Sequence, residues 1–165
     1  MGKLYSSKEV ADYIISKGLK QTNQSLTNFK LQKILYYSQG FYFKEYNKPL
    51  IKEEFKMFRH GVAIKEELER YWEFNFIEID KTGNKLKDCK IKEEDKEFLD
   101  EVWNIFKNFT GKQLDYLVQY DLPEEFRNYN LEIRNIKEPE VIAKNSIKYQ
   151  FNSRYKKREK FNNNK

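Results

Sequence analysis

The stretch Leu26–Gly40, LTNFKLQKILYYSQG, constrains this chain more than any other, because it opens with a helix-start signal and continues at helical spacing. Thr27 is placed to cap the first turn by accepting one of the backbone N–H groups that a helix start leaves unpaired. Leu31, Ile34, Leu35 and Ser38 recur three and four residues apart, which puts them on one buried stripe. Lys30, Lys33, Tyr36 and Tyr37 fall on the flanks of that stripe, where long amphipathic side chains sit half-buried with their polar tips outward. Two readings of these four stand side by side. They line a ridge that meets a partner, or Tyr36 and Tyr37 complete the core while Lys30 and Lys33 are solvated or capped by local carboxylates. The helix continues to about Tyr46, and Asn47-Lys48-Pro49 ends it by turn chemistry.

Other helices follow from their caps. Ser6 and Glu9 form a capping box ahead of a helix whose inner face is Val10, Tyr13 and Ile14, with Gly18 as a left-handed stop. Ile64 to Tyr71 reads as a short helix with Leu68 and Trp72 on one side. Glu93 to Asn108 carries Phe98, Leu99, Val102, Trp103 and Phe106 as a wide apolar stripe, with acids in its first turn. Thr110 and Gln113 make a second capping box before Leu114, Leu117 and Val118. Pro123 opens a short helix bearing Phe126 and Tyr129, and a last helix runs from Pro139 to Phe151.

Strand signals are fewer. Phe55, Met57 and Phe58 suggest extended chain and one short strand before a break at Gly61. Phe74 to Ile91, turning at Asp80–Asn84, reads as a hairpin. Asn130 to Glu138 reads as a linker or extended clamp. The expected fold is mainly α: a compact single-domain helical bundle over 1–152 with a small antiparallel β hairpin or sheet insertion, followed by a basic tail, 153–165. With 13 Phe and 12 Tyr in 165 residues, aromatic rings supply the area that a chain of mean hydropathy -0.94 otherwise lacks.

Charge divides the chain unevenly. Residues 154–165 hold six bases and one acid, and the remainder carries 26 bases against 25 acids, so the net +6 is concentrated in the tail. Arg154, Lys156, Lys157, Arg158 and Lys160, interleaved with Tyr155 and Phe161, suit a nucleic-acid-binding arm; a solvated terminus is the other reading. A single Cys and a single His leave no disulfide and few metal ligands. The chain opens without an apolar leader and holds no membrane-length apolar run, which points to the cytoplasm. Adjacent acid pairs such as Glu53-Glu54, Glu66-Glu67 and Glu124-Glu125 diverge by about 100° on a helix and read as solvated faces. Without a phosphate loop, a nucleophile motif or metal-ligand spacing, the expectation is a non-enzyme that needs no cofactor.

From Val10 to Phe151 the sequence resembles the Panacea antitoxin-domain family, the SocA-like and phage-associated GepA-like proteins. The resemblance rests on VADYII, the TNFKLQKILYYSQG block and Pro49-Leu50, and then on DKEFLDEVWNIFKNFTGKQLDYLV in the family's order. In the family's acid-Ala-Trp-x-Tyr-Gly-Pro-Val block this chain reads KMFRHGVA: Phe58 stands for the Trp, His60 for the Tyr, Gly61 is kept and Val62 replaces the Pro. Leu68 stands where a Tyr is common, and the later His-x-x-x-x-Trp-like segment is replaced by Tyr120–Phe126. The resemblance implies an antitoxin that neutralises a cognate protein toxin by binding it, some members acting instead as adaptors to a protease. Lys30, Lys33, Tyr36, Tyr37, Phe58, Arg59, His60 and Gly61 are then the partner-binding candidates. Nucleic acid, through the tail, is the alternative partner.

Overall fold

The computed structural model describes residues 4–19, 26–72, 89–127 and 139–155. Within them the chain is mainly helical: α1 (Ser7–Leu19), α2 (Asn28–Tyr46), α3 (Lys65–Arg70), α4 (Glu93–Phe106), α5 (Gly111–Asp121), α6 (Glu124–Arg127) and α7 (Lys144–Arg154). Three short strands, β1 (Phe55–Phe58), β2 (Gly61–Ile64) and β3 (Glu140–Ile142), form one antiparallel sheet in the order β2-β1-β3. The mainly α expectation with a small antiparallel sheet is therefore met.

Helix α2 is the axis of the fold. Its N-terminus is held as the sequence requires, with Thr27 accepting from the Lys30 N–H, and Asn47 closes its C-terminus in the left-handed conformation. Every residue from 31 to 40 is buried, since α1, α3, α4, α5, α7 and β2 all pack around the helix. A helix enclosed on all sides needs no polar face, so the half-buried flanks expected from its sequence do not arise. Gly40 lets α7 approach: a Cβ there would lie 2.3 Å from the Phe151 ring. That ring packs edge-on against Tyr36, Tyr37 and Phe41.

Both expected capping boxes form. The Glu9 carboxylate accepts from the Ser6 N–H, and Glu9 N–H donates back to Ser6 Oγ. Thr110 and Gln113 do the same ahead of α5. Gly18 is not a left-handed stop. It lies within α1 facing Leu26, and among the described glycines only Gly61 has a positive φ.

Two β expectations change. Residues 55–64 are a hairpin rather than a single strand, with Phe58 opposite Gly61 across the two-residue turn Arg59-His60. No Asn-Gly or Asp-Gly pair announces that turn; the positive φ, +106°, falls on Gly61 just after it. The expected last helix begins later, because residues 140–142 are drawn into β3 by pairing with β1, Phe55 opposite Ile142. Helix α7 runs on to Arg154, past the expected helix end at Phe151. The hairpin expected over 74–91 falls almost wholly outside the described residues, and the linker expected at 130–138 lies wholly outside them.

Candidate partner-binding site

The side chains of α2 that the sequence marks most strongly point inward and hold other elements. Lys30, Lys33, Tyr36 and Tyr37 are between 0% and 2% exposed, which corrects the reading of a ridge open to a partner. Lys30 Nζ donates to the Lys107 carbonyl at the end of α4, 2.6 Å away, and lies 5.6 Å from the centre of the Trp103 ring. Burial pushes its amine down to about 8. Gln32 accepts from the Ile64 N–H and donates to Asn28, whose amide in turn reaches the Leu68 carbonyl. Lys33 Nζ donates to the carbonyls of His60 and Val62. Gln32 and Lys33 thereby satisfy the outer edge of β2, which has no strand neighbour on that side among the described residues, and tie the hairpin to the central helix.

The tyrosines serve a second set of anchors. Tyr37 donates to the Asp121 carboxylate and Tyr36 to the Asp121 carbonyl. Tyr155 and Arg154 from the end of α7 meet the same carboxylate, at 2.9 and 2.7 Å. At the start of α4, Asp95 accepts from Tyr5 and Tyr42. Glu67 accepts from Ser7 and pairs with Arg70. Burial raises the Tyr5 and Tyr155 phenols to about 12, the neighbouring carboxylates adding to the effect. Glu67 is fully buried, so its expected place on a solvated face is corrected.

Where the hairpin turn meets α2 and α3 there is a cavity of about 260 Å³. Phe29, Ala63, Leu68, Phe58 and Trp72 supply its apolar wall, and Gln32, Lys33, Arg59, His60 and Gly61 its polar part. Five of the eight partner-binding candidates meet here: Lys33, Phe58, Arg59, His60 and Gly61. Lys30, Tyr36 and Tyr37 do not. The turn holds Arg59 and His60 at the surface, and Trp72 is 63% exposed. The hollow is mostly apolar with a few polar groups fixed at its edge, and Trp72 lies exposed beside it.

Residues 31–123 match the family of SocA-like antitoxins that carry the Panacea domain. The chain belongs to that family. The match covers more than half of the chain, a shorter span than the resemblance from Val10 to Phe151, and runs from α2 through the hairpin, α3 and α4 to the end of α5. Most of the Panacea-domain cavity lies inside it; Phe29, two residues before it, is the exception. No curated protein and no solved structure matches the chain.

In this Panacea domain, Phe29, Gln32, Leu68 and Trp72 join the cavity without having been marked as partner candidates by the sequence. Leu68 and Trp72 sit four residues apart on one side, and that spacing was the available signal. Of the alternative nucleic-acid residues, Arg154 ends α7 in an ion pair with Asp121, while Lys156, Lys157, Arg158 and Lys160 lie outside the described residues. No helix among the described residues is long and apolar enough to cross a membrane.

Proposed function

We propose that this protein is an antitoxin that neutralises a cognate bacterial toxin by direct binding, with the cavity between the hairpin turn, α2 and α3 as its contact. Membership of the SocA-like antitoxin family supports the general role. The single observation that carries the location is the convergence of Phe58, Arg59, His60 and Gly61 on the same hollow as Phe29, Leu68 and Trp72. Apolar walls reward a buried partner side chain, and the exposed Trp72 beside them adds contact area.

Binding rather than catalysis is the reading that the buried groups favour. Asp95, Asp121 and Glu67 each accept from side chains of the fold itself. A carboxylate so engaged is occupied in holding elements together and is poorly placed to exchange protons with a substrate.

Co-expression with the product of the neighbouring reading frame in the same operon tests the proposal. The wild-type protein should restore growth, and Trp72→Ala with Arg59→Glu should abolish rescue and co-purification while leaving the melting temperature within about 2 °C, as expected for surface changes. Undiminished rescue by the double variant would reject this site, and failure of the wild type to rescue would reject the function.

A further inference from the structure

A second surface lies on α5, away from the cavity. Lys112, Tyr116 and Tyr120 follow one another at i+4 spacing and are all exposed, Tyr116 at 66% and Tyr120 at 50%. The two rings meet edge to face with centroids 5.7 Å apart, and their hydroxyls are 3.3 Å apart. Beyond Tyr120 the row is closed by Arg154, whose guanidinium lies 5.9 Å from the Tyr120 ring centre. Arg154 is fixed there by its ion pair with Asp121 but keeps nearly half its side chain exposed. Asp115, the acid beside Tyr116 in sequence, turns instead toward Lys33, 3.9 Å from its ammonium.

The surface is thus a row of cation, aromatic, aromatic, cation, in which Lys112 to Tyr120 spans about 12 Å of α5 at a rise of 1.5 Å per residue and Arg154 of α7 lies beyond Tyr120. Exposed aromatic rings set among cations are the composition that stacks bases while neutralising phosphates. The sequence continues the same charge: within four residues of Tyr155 come Lys156, Lys157 and Arg158, and residues 154–165 carry six bases to one acid. A polyanion with flat π faces finds both of its recognition elements together here.

We propose that the Tyr116–Tyr120–Arg154 row is a platform for single-stranded nucleic acid. Two bases stack on the tyrosines, and Lys112 and Arg154 meet the flanking phosphates. Single strands fit and duplexes do not, because a duplex keeps its base faces stacked on one another. The platform shares no residue with the cavity proposed to hold a toxin and stands or falls independently of it.

The test is fluorescence anisotropy of a labelled 20-nucleotide oligo-dT with the full chain. Binding is expected at 50 mM salt and should weaken steeply by 200 mM. Tyr116→Ala with Tyr120→Ala should weaken it tenfold or more at either salt, with an unchanged melting curve, since both rings are exposed. Tyr116→Phe with Tyr120→Phe retains the π faces and should bind within about twofold of wild type. No binding at 50 mM salt, equal binding by the double alanine variant, or tighter binding of a 20-base-pair duplex would each overturn the proposal.

Discussion

Tyr37, from the middle of α2, donates its hydroxyl to the carboxylate of Asp121 at the last turn of α5, 84 positions away in sequence. The same carboxylate receives Tyr155 and Arg154 from the end of α7, so one buried acid joins three helices. An acid this deeply buried is tolerated because each of its oxygens has partners, and the cationic Arg154 offsets its charge. Asp121 thereby fixes α7 against the central helix, and α7 in turn covers the Gly40 face.

Removing the acid and removing one of its donors should therefore differ. Tyr37→Phe deletes one hydrogen bond to a charged group and leaves Asp121 with Tyr155 and Arg154, at a cost of about 1–2 kcal/mol. Asp121→Ala strands the Tyr37 hydroxyl and unpairs Arg154, at about 3–4 kcal/mol. Urea denaturation of both variants and of the double variant checks this. The double variant should cost clearly less than the sum of the single changes, because the two residues share one network. Additive losses would show that they act separately.

A small residue carries as much weight at Gly40. The Cβ of Gly40→Ala would enter the Phe151 ring at 2.3 Å, and that ring is boxed in by Tyr36, Tyr37, Phe41 and Tyr155. Alanine gains up to about 1 kcal/mol in helix propensity, and overpacking costs about 1–3 kcal/mol or more when the neighbour cannot move. The clash wins, and thermal unfolding should show a lower melting temperature. Phe151→Leu, destabilising alone, should recover part of the loss when combined with Gly40→Ala. A more stable Gly40→Ala protein would mean that α7 shifts freely.

The elements that could be read from the sequence were those fixed by local chemistry. Thr27, Asn47 and the Ser6 and Thr110 boxes satisfy backbone groups within a few residues, so their signals are contained in the sequence around them. What escaped depends on distant partners. The hairpin at Arg59-His60 exists because Gln32 and Lys33 satisfy β2 from α2, and β3 exists because β1 lies beside it. The inward turn of Lys30 and Lys33 was hidden for the same reason: a lysine reads as exposed until a carbonyl awaits its ammonium. One signal was available for the buried acids. Asp95 falls in phase with Phe98, Leu99 and Val102, and Asp121 with Leu114 and Val118, so acids on an apolar stripe already pointed to internal donors. The cavity was half legible, because Phe58 to Gly61 drew attention as a block while Phe29 and Trp72 reach it only through the fold.

Lys30 gives the protein an unusual dependence on pH. Its amine is lowered to about 8 in the fold by burial, against about 10.4 in the unfolded chain. Between those values the unfolded state holds a proton that the folded state has lost, so unfolding takes up protons and stability rises with pH across that window. The slope approaches about 1.4 kcal/mol per pH unit, worth about 2 kcal/mol between pH 8 and pH 10. Tyr5 and Tyr155 act in the opposite sense. Their phenols are raised to about 12, so the unfolded chain ionises first and stability falls once pH passes about 10. Wild-type stability, followed by urea denaturation from pH 7 to 11, should rise and then turn over near pH 10. Lys30→Met should remove the rise and keep the fall, because methionine fills the same channel beside Trp103 without a titrating group. A Lys30→Met protein that retained the full rise would show that a group other than Lys30 produces it.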